Sequence, residues 1–316
     1  MDKLKTNIKS IEIPNCDEEL RFRFENLETD EIQTLNINSS DKHIEINLDN
    51  LQTHFNYRYF FEINTQDGYQ VYSKPKHVFP EFIDEDTGIH YSLIKHNQSD
   101  KLLVVFSSST HNNQFNYFNT LKDYKINKLF ITDNNSSSSD TTCAYYIGNG
   151  NRKFESQTIS IIERVLESLA ISKDNVYLFG SSKGGFAALY YVFKYRFGNA
   201  ILGSPTVYLG KMHKDNERGQ NIITYITGKS LEEGTKWLDN VITDEMLNSV
   251  HKPKLYYHVG EKEPRYTRHA VHFLKLIDET NLASYELDLG DYSNHSDVIH
   301  FFPPYAHEVL KNIESN

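Results

Sequence analysis

A chain of 316 residues is long enough for one catalytic domain of ordinary size and a small appended module. Its formal net charge of −10, with no lysine- or arginine-rich run, argues against a partner gripped through a nucleic-acid backbone and, less directly, against an anionic membrane surface. The two cysteines, Cys16 and Cys143, support neither a disulfide framework nor a four-ligand zinc site, and 19 Phe with 21 Tyr exclude wholesale disorder.

The amino terminus, MDKLKTNIKSIEIPNCDEE, has no apolar core of signal-peptide length, and the longest apolar runs are strand-sized. A cytoplasmic protein without a transmembrane segment is expected. Period-two patterning then dominates: residues 10–14 (SIEIP), 20–24 (LRFRF), 43–48 (HIEINL) and the aromatic run 56–63 (NYRYFFEI). Turn clusters NSSD and TQDG lie between them, so residues 1–80 read as a small antiparallel β-sandwich, immunoglobulin-like or related. The proline-bearing SKPKHVFPEFIDEDTG leads into a second domain, residues 81–316.

There the pattern changes. Residues 90–95 (HYSLIK) read as a first strand, and 102–106 (LLVVF) as a strand buried on both faces. Strand 128–132 (KLFIT) follows, then a helix over 155–170 with Ile159, Ile162, Val165 and Leu166 at helical spacing. Strand 176–180 (VYLFG), a helix from Gly184, and strands 200–203 (AILG) and 254–259 (KLYYHV) come next. A helix over 267–278, strand 284–289 (SYELDL) and a helix over 297–314 complete the chain. Alternating strand and helix means an α/β fold: a mostly parallel sheet with helices on both faces. The polar insertion 209–250, which holds the single Trp237, reads either as a cap or as a pair of surface helices.

Chemistry concentrates in VYLFGSSKGGFAALYY. Gly180, Ser182 and Gly184 form G-x-S-x-G between a buried strand and an apolar helix, the setting of a nucleophile elbow. So sharp a turn strains the serine backbone and leaves room only for glycine on either side. Ser182 is the expected nucleophile, and the N–H of Lys183, at the helix start, an oxyanion donor. A serine needs a base, and in this topology the order is Ser, acid, His. His295 lies in the loop after the last strand, whereas His300 and His307 fall inside the helix. The acid belongs after the preceding strand, at Glu263 or its neighbour Glu261; Asp291 and Asp297 flank the histidine as further orienting groups. Ser108 or Ser109, after LLVVF, is the expected source of a second oxyanion donor. Asp133, at the end of another parallel strand, is expected either to contact substrate or to cap its loop.

On VVFSSS, the aspartate of FITD, AYYIGNG, GSSKGGFAALYY, ILGSPTVYLG, HVGEKEP and NHSD, the catalytic part resembles a bacterial group of α/β-hydrolase-like proteins over about residues 90–310. That group is tied to capsular polysaccharide biosynthesis and to accessory secretion of serine-rich glycoproteins. The resemblance implies an esterase or O-acetyltransferase acting on glycans, a triad of Ser182, His295 and Glu263, and a glycan- or partner-binding role for the β-rich module. Glu stands where α/β-hydrolases usually have Asp. Three functions are therefore in view: an acyl esterase on a glycan or small ester, an O-acyltransferase with the same acyl-enzyme, and a non-catalytic scaffold. No P-loop, G-x-G-x-x-G turn, H-E-x-x-H or Cys–His metal cluster occurs, and no cofactor is expected beyond acetyl-CoA as donor for a transferase. The pattern carries no signal for oligomeric state.

Overall fold

In the computed structural model, which describes residues 3–4, 8–38, 40–51, 57–84, 87–96, 98–108, 115–133 and 144–315, the period-two stretches form antiparallel strands. The chain divides into two compact units, Met1–Asp84 with Ser92–Asn97, and Glu85–Tyr91 with Gln98–Asn316. In the first unit, Ile8–Glu12 pairs with His43–Asn47. A second sheet runs Ile32–Asn36, Leu20–Asn26, Tyr57–Thr65, Gly68–Val71, and Lys76–Val78 also pairs with Tyr57–Thr65. Alternation decides which side chains face inward. Ile11, Ile44 and Ile46 from the first sheet meet Phe22, Tyr59 and Phe61 from the second in one apolar core. On the other face Arg21 pairs with Glu62 at 2.6 Å. Cys16 forms no disulfide, and Cys143 lies outside the described residues.

In the second unit the elements are β1 (Leu102–Phe106), β2 (Asn127–Ile131), α1 (Lys153–Leu169), β3 (Val176–Ser181), α2 (Lys183–Lys194), β4 (Asn199–Gly203), α3 (Leu209–His213), α4 (Glu217–Thr227), α5 (Leu231–Leu247), β5 (Lys254–Gly260), α6 (Val271–Thr280), β6 (Ser284–Gly290) and α7 (Val298–Ser315). The strands run parallel in the order β2-β1-β3-β4-β5-β6. β1 and β2 are buried at every residue, β1 through its unbroken apolar run and β2 with Asn127 and Lys128 buried beside Leu129, Phe130 and Ile131, while the edge strand β6 is largely exposed, Leu287 and Leu289 included. α1 turns Ile159, Ile162, Val165 and Leu166 inward. This is the α/β-hydrolase fold. The chain order reverses between β1 and β3, and in such sheets ligands bind at the carboxyl ends of the strands beside the reversal.

Three details differ from the sequence reading. A short helix, Phe118–Leu121, precedes β2. The helix read from 267 opens instead with a π-helical turn, Tyr266–Ala270, before α6 begins. The insertion 209–250 makes three helices, of which α4 and α5 pack together and α3 reaches the site described below. Among the described residues no helix is long and apolar enough to cross a membrane.

Candidate active site

The site is built at the ends of β3, β4, β5 and β6. β3 leads through Ser182 into α2 with the backbone of Ser182 at φ 52°, ψ −113°, a conformation a side chain rarely tolerates. Ser182 N–H donates to Gly203 O at 2.9 Å, and Ser182 O accepts from Phe186 N–H at 3.0 Å, so both sides of the turn are fixed. A Cβ on Gly180 would stand 2.4 Å from Gly184 C, and one on Gly184 2.3 Å from Phe106 O. Both glycines are therefore required by backbone approach. The neighbouring Ser181 is buried, its hydroxyl hydrogen-bonded to Tyr117 OH, so the two serines differ in what they can reach.

Around Ser182 three loops converge. His295, in the turn after β6, places Nε2 at 3.0 Å from Ser182 Oγ and Nδ1 at 2.6 Å from Glu263 Oε1. Glu263, in the loop after β5, is fully buried, whereas Glu261 two residues earlier is exposed. Asp291 is turned to Lys262 at 2.6 Å, and Asp297 closes the short turn that His295 opens, just before α7. Burial pulls the Glu263 carboxyl up, but hydrogen bonds from His295 and Ser204, with the charges of His295 and Arg265, outweigh it and hold the group below the usual carboxylate range.

Arg265 was not singled out by the sequence, although it lies two residues beyond Glu263. Its Nη1 donates to Ser182 Oγ at 3.1 Å and to Ser204 O at 3.2 Å, and the guanidinium lies against both ring nitrogens of His295. Its Nη2 meets Met212 Sδ of α3 at 3.6 Å. Met212 also lines a cleft of about 620 Å³, with Tyr208, Lys211, Arg268 and His269 among its other walls. Sequence reasoning also passed over Ser204, the serine of ILGSPT. It is wholly buried with φ 41° and donates its hydroxyl to Glu263 Oε2 at 2.5 Å.

The oxyanion residues divide. Lys183 begins α2, so its N–H is among the first of the helix. Its side chain is buried and pairs with Asp133 at 3.3 Å. Asp133 is thus not at the open edge of the site; it is sealed beneath the elbow as the partner of Lys183. Ser108 also departs from expectation: its N–H and its hydroxyl both donate to Asn116 Oδ1, at 2.7 and 3.0 Å, so the amide is already engaged. Ser109 lies outside the described residues. Among the described residues no cluster of three or more His, Cys, Asp or Glu is arranged to hold a metal ion.

Comparison with known proteins bears on this arrangement. The family model described as Asp2, accessory Sec system GspB-transporter, matches residues 90–289. No curated protein matches the chain. Among solved structures, the capsule O-acetyltransferase of Neisseria meningitidis serogroup A is similar at a TM-score of 0.59 and 20% identity, over 74% of this chain and 94% of that one. The glycosylation-associated protein complex (Gap123) of Streptococcus agalactiae is similar at 0.55 and 18%, over 99% of this chain and 65% of that one. FphF, a fluorophosphonate-binding serine hydrolase of Staphylococcus aureus, is similar at 0.53 and 14%, over 76% and 98%. At these identities the likeness speaks to the fold.

Proposed function

The chain belongs to the Asp2 family of the accessory Sec system, and on that premise we propose that it is a serine acyl-transfer enzyme whose Ser182 carries an acyl group to a glycan hydroxyl or to water. One observation carries this reading: the unbroken line from Ser182 Oγ through His295 to Glu263, with spacings of 3.0 and 2.6 Å, at a strained strand-to-helix turn.

His295 Nε2 takes the Ser182 hydroxyl proton as Oγ bonds to the acyl carbon. The carbonyl oxygen becomes an oxyanion facing the start of α2, where the Lys183 N–H and the helix dipole favour negative charge. Arg265, already a donor to Ser182 Oγ, adds positive charge beside the same atoms. Collapse breaks the bond to the leaving group, which receives the proton from His295. In the second half His295 takes a proton from the acceptor as its oxygen bonds to the acyl carbon, and returns that proton to Ser182 Oγ as the acyl–Oγ bond breaks. Glu263 stays ionised throughout and holds the Nδ1–H tautomer of His295.

Two acceptors satisfy this chemistry. Water gives an esterase for an acylated glycan. A sugar hydroxyl gives O-acyl transfer, with acetyl-CoA as donor, and the likeness to a capsule O-acetyltransferase favours it. No step calls for a metal or a resident cofactor. The test begins with a fluorophosphonate probe and p-nitrophenyl acetate on the wild type and Ser182→Ala. Labelling and turnover that vanish in the variant support the reading, and acetyl-CoA leaving an acetyl group on Ser182 selects transfer. A wild type that neither labels nor turns over overturns it in favour of a non-catalytic scaffold.

A further inference from the structure

Behind Glu263 the hydrogen bonding continues. Ser204 Oγ lies 2.9 Å from Tyr292 OH, Tyr292 OH lies 3.2 Å from His258 Nε2, and His258 Nδ1 lies 2.5 Å from Asp288 Oδ2. With Ser204 Oγ at 2.5 Å from Glu263 Oε2, the line runs from a half-exposed aspartate on the edge strand to the nucleophile. We propose that Ser204, Tyr292 and His258 form a positioning relay that keeps Glu263 ionised and aligned on His295. This rests on the reading of Ser182, His295 and Glu263 as the reacting set.

Proton counting fixes the direction of the relay. An ionised carboxylate only accepts, so the single Ser204 proton goes to Glu263. Ser204 Oγ must then accept from Tyr292 OH, and the Tyr292 oxygen from His258 Nε2–H. The series is complete only with both His258 nitrogens protonated, Nε2–H facing Tyr292 and Nδ1–H facing Asp288, so the proposed relay ends in an imidazolium–carboxylate pair. Both carboxylate oxygens are thereby occupied, Oε1 by His295 and Oε2 by Ser204, as a buried charge requires. A glutamate in place of the usual aspartate suits an acid that must reach two donors.

The surroundings fix each member. His258 and Asp288 are register partners on β5 and β6. Gly260 and Gly290, partners at the ends of the same strands, form the seat of Tyr292: a Cβ on either would stand 2.6 Å from its ring. The Tyr292 and His258 rings stack at 5.7 Å, with Tyr305 on His258 at 5.7 Å. Ser204 holds φ 41°, its N–H bonded to His258 O at 2.7 Å and its carbonyl to Arg265. Ser204, His258, Glu263 and Tyr292 are all buried.

Two variants test the relay. Ser204→Gly removes the hydroxyl but keeps the left-handed backbone, which glycine adopts freely. Tyr292→Phe keeps the ring in its seat and removes the hydroxyl that links Ser204 to His258, which also faces Glu263 and the backbone of Gly260. Kinetics with p-nitrophenyl acetate are followed against pH in the full chain, with the downfield His295 Nδ1–H proton resonance as a second readout. For Ser204→Gly, kcat should fall roughly tenfold to a hundredfold, because a donor to a charged group is lost. KM should stay within about twofold, since no substrate contact is lost. The acid limb of kcat/KM should move to higher pH, because the Glu263–His295 pair binds its proton more tightly once a donor to the carboxylate is gone. Tyr292→Phe should lower kcat about fivefold, and the resonance should shift in both variants. A folded Ser204→Gly with unchanged kcat, acid limb and resonance overturns the relay, and an unchanged Tyr292→Phe overturns its extension beyond Ser204. An inactive wild type would sink the acyl-transfer reading, while the resonance would still report on the relay.

Discussion

His213 and His269 stand beside the reacting residues and are held neutral by their positions. His269 Nδ1 accepts the Tyr208 N–H at 3.1 Å, and His213 Nε2 shares a hydrogen with Tyr145 OH at 2.9 Å. Both are pushed down to about 4, by burial first and then by the charge of Arg265; Arg218 adds to the effect at His213, and Arg268 and Lys211 at His269, where Glu263 opposes it. An unfolded histidine takes a proton near pH 6.5, so between about 6.5 and 4 the unfolded chain binds more protons than the folded one. The stabilisation is complete above this window and is lost as pH falls through it, by up to about 1.4 kcal/mol per pH unit for each histidine. Urea unfolding at a series of pH values should therefore show a shallower acid loss for His269→Gln than for the wild type. Parallel curves would mean that His269 titrates in the folded protein as it does in the unfolded one.

At the scale of elements, the strand–elbow–helix unit makes the sharpest prediction. Gly180→Ala and Gly184→Ala each drive a methyl into backbone, at 2.4 and 2.3 Å, so neither can be absorbed by a side-chain shift. Each should cost about 3 kcal/mol or more in denaturant unfolding and abolish fluorophosphonate labelling. Gly68→Ala, whose Cβ meets nothing within 4 Å at φ +96°, should cost only about 1 kcal/mol and leave labelling intact. Losses at Gly180 and Gly184 no larger than that at Gly68 would show that the elbow absorbs the methyl and that close approach is not what those two glycines secure. This unit was legible in the sequence because every part of it is local: an apolar run, glycines at fixed offsets, an apolar helix. His295 and Glu263 were legible for a related reason, since chain order tells which loops deliver them to the sheet's carboxyl end. Ser204, Tyr292, His258 and Arg265 were not, because their meaning arises where separate strands end side by side. Gly260 and Gly290 read as ordinary strand ends until register brings both under one tyrosine ring. Ser108 and Asp133 show the same limit from the other side. Each stands where the chain order puts it, but Asn116, eight residues on, accepts from Ser108, and Lys183, far along the chain, pairs with one oxygen of Asp133.

Across the whole molecule, the residues of the proposed reaction and of its relay all belong to the second unit, while the antiparallel unit has an apolar core of its own. A unit of that size buries a modest core and is only marginally stable alone, so one large vacancy should matter greatly to it. Phe61 is 3% exposed and meets the ring of Phe22 edge-on at 5.6 Å. Phe61→Ala should remove about 3–5 kcal/mol from that core. The expected result is selective: hydrogen exchange accelerates through Leu20–Asn26 and Tyr57–Thr65, while Ser182 labels with fluorophosphonate at the wild-type rate. Labelling that fell in step with the exchange would mean that the antiparallel unit helps to hold the elbow in shape, and the two cores would then have to be treated as one cooperative structure.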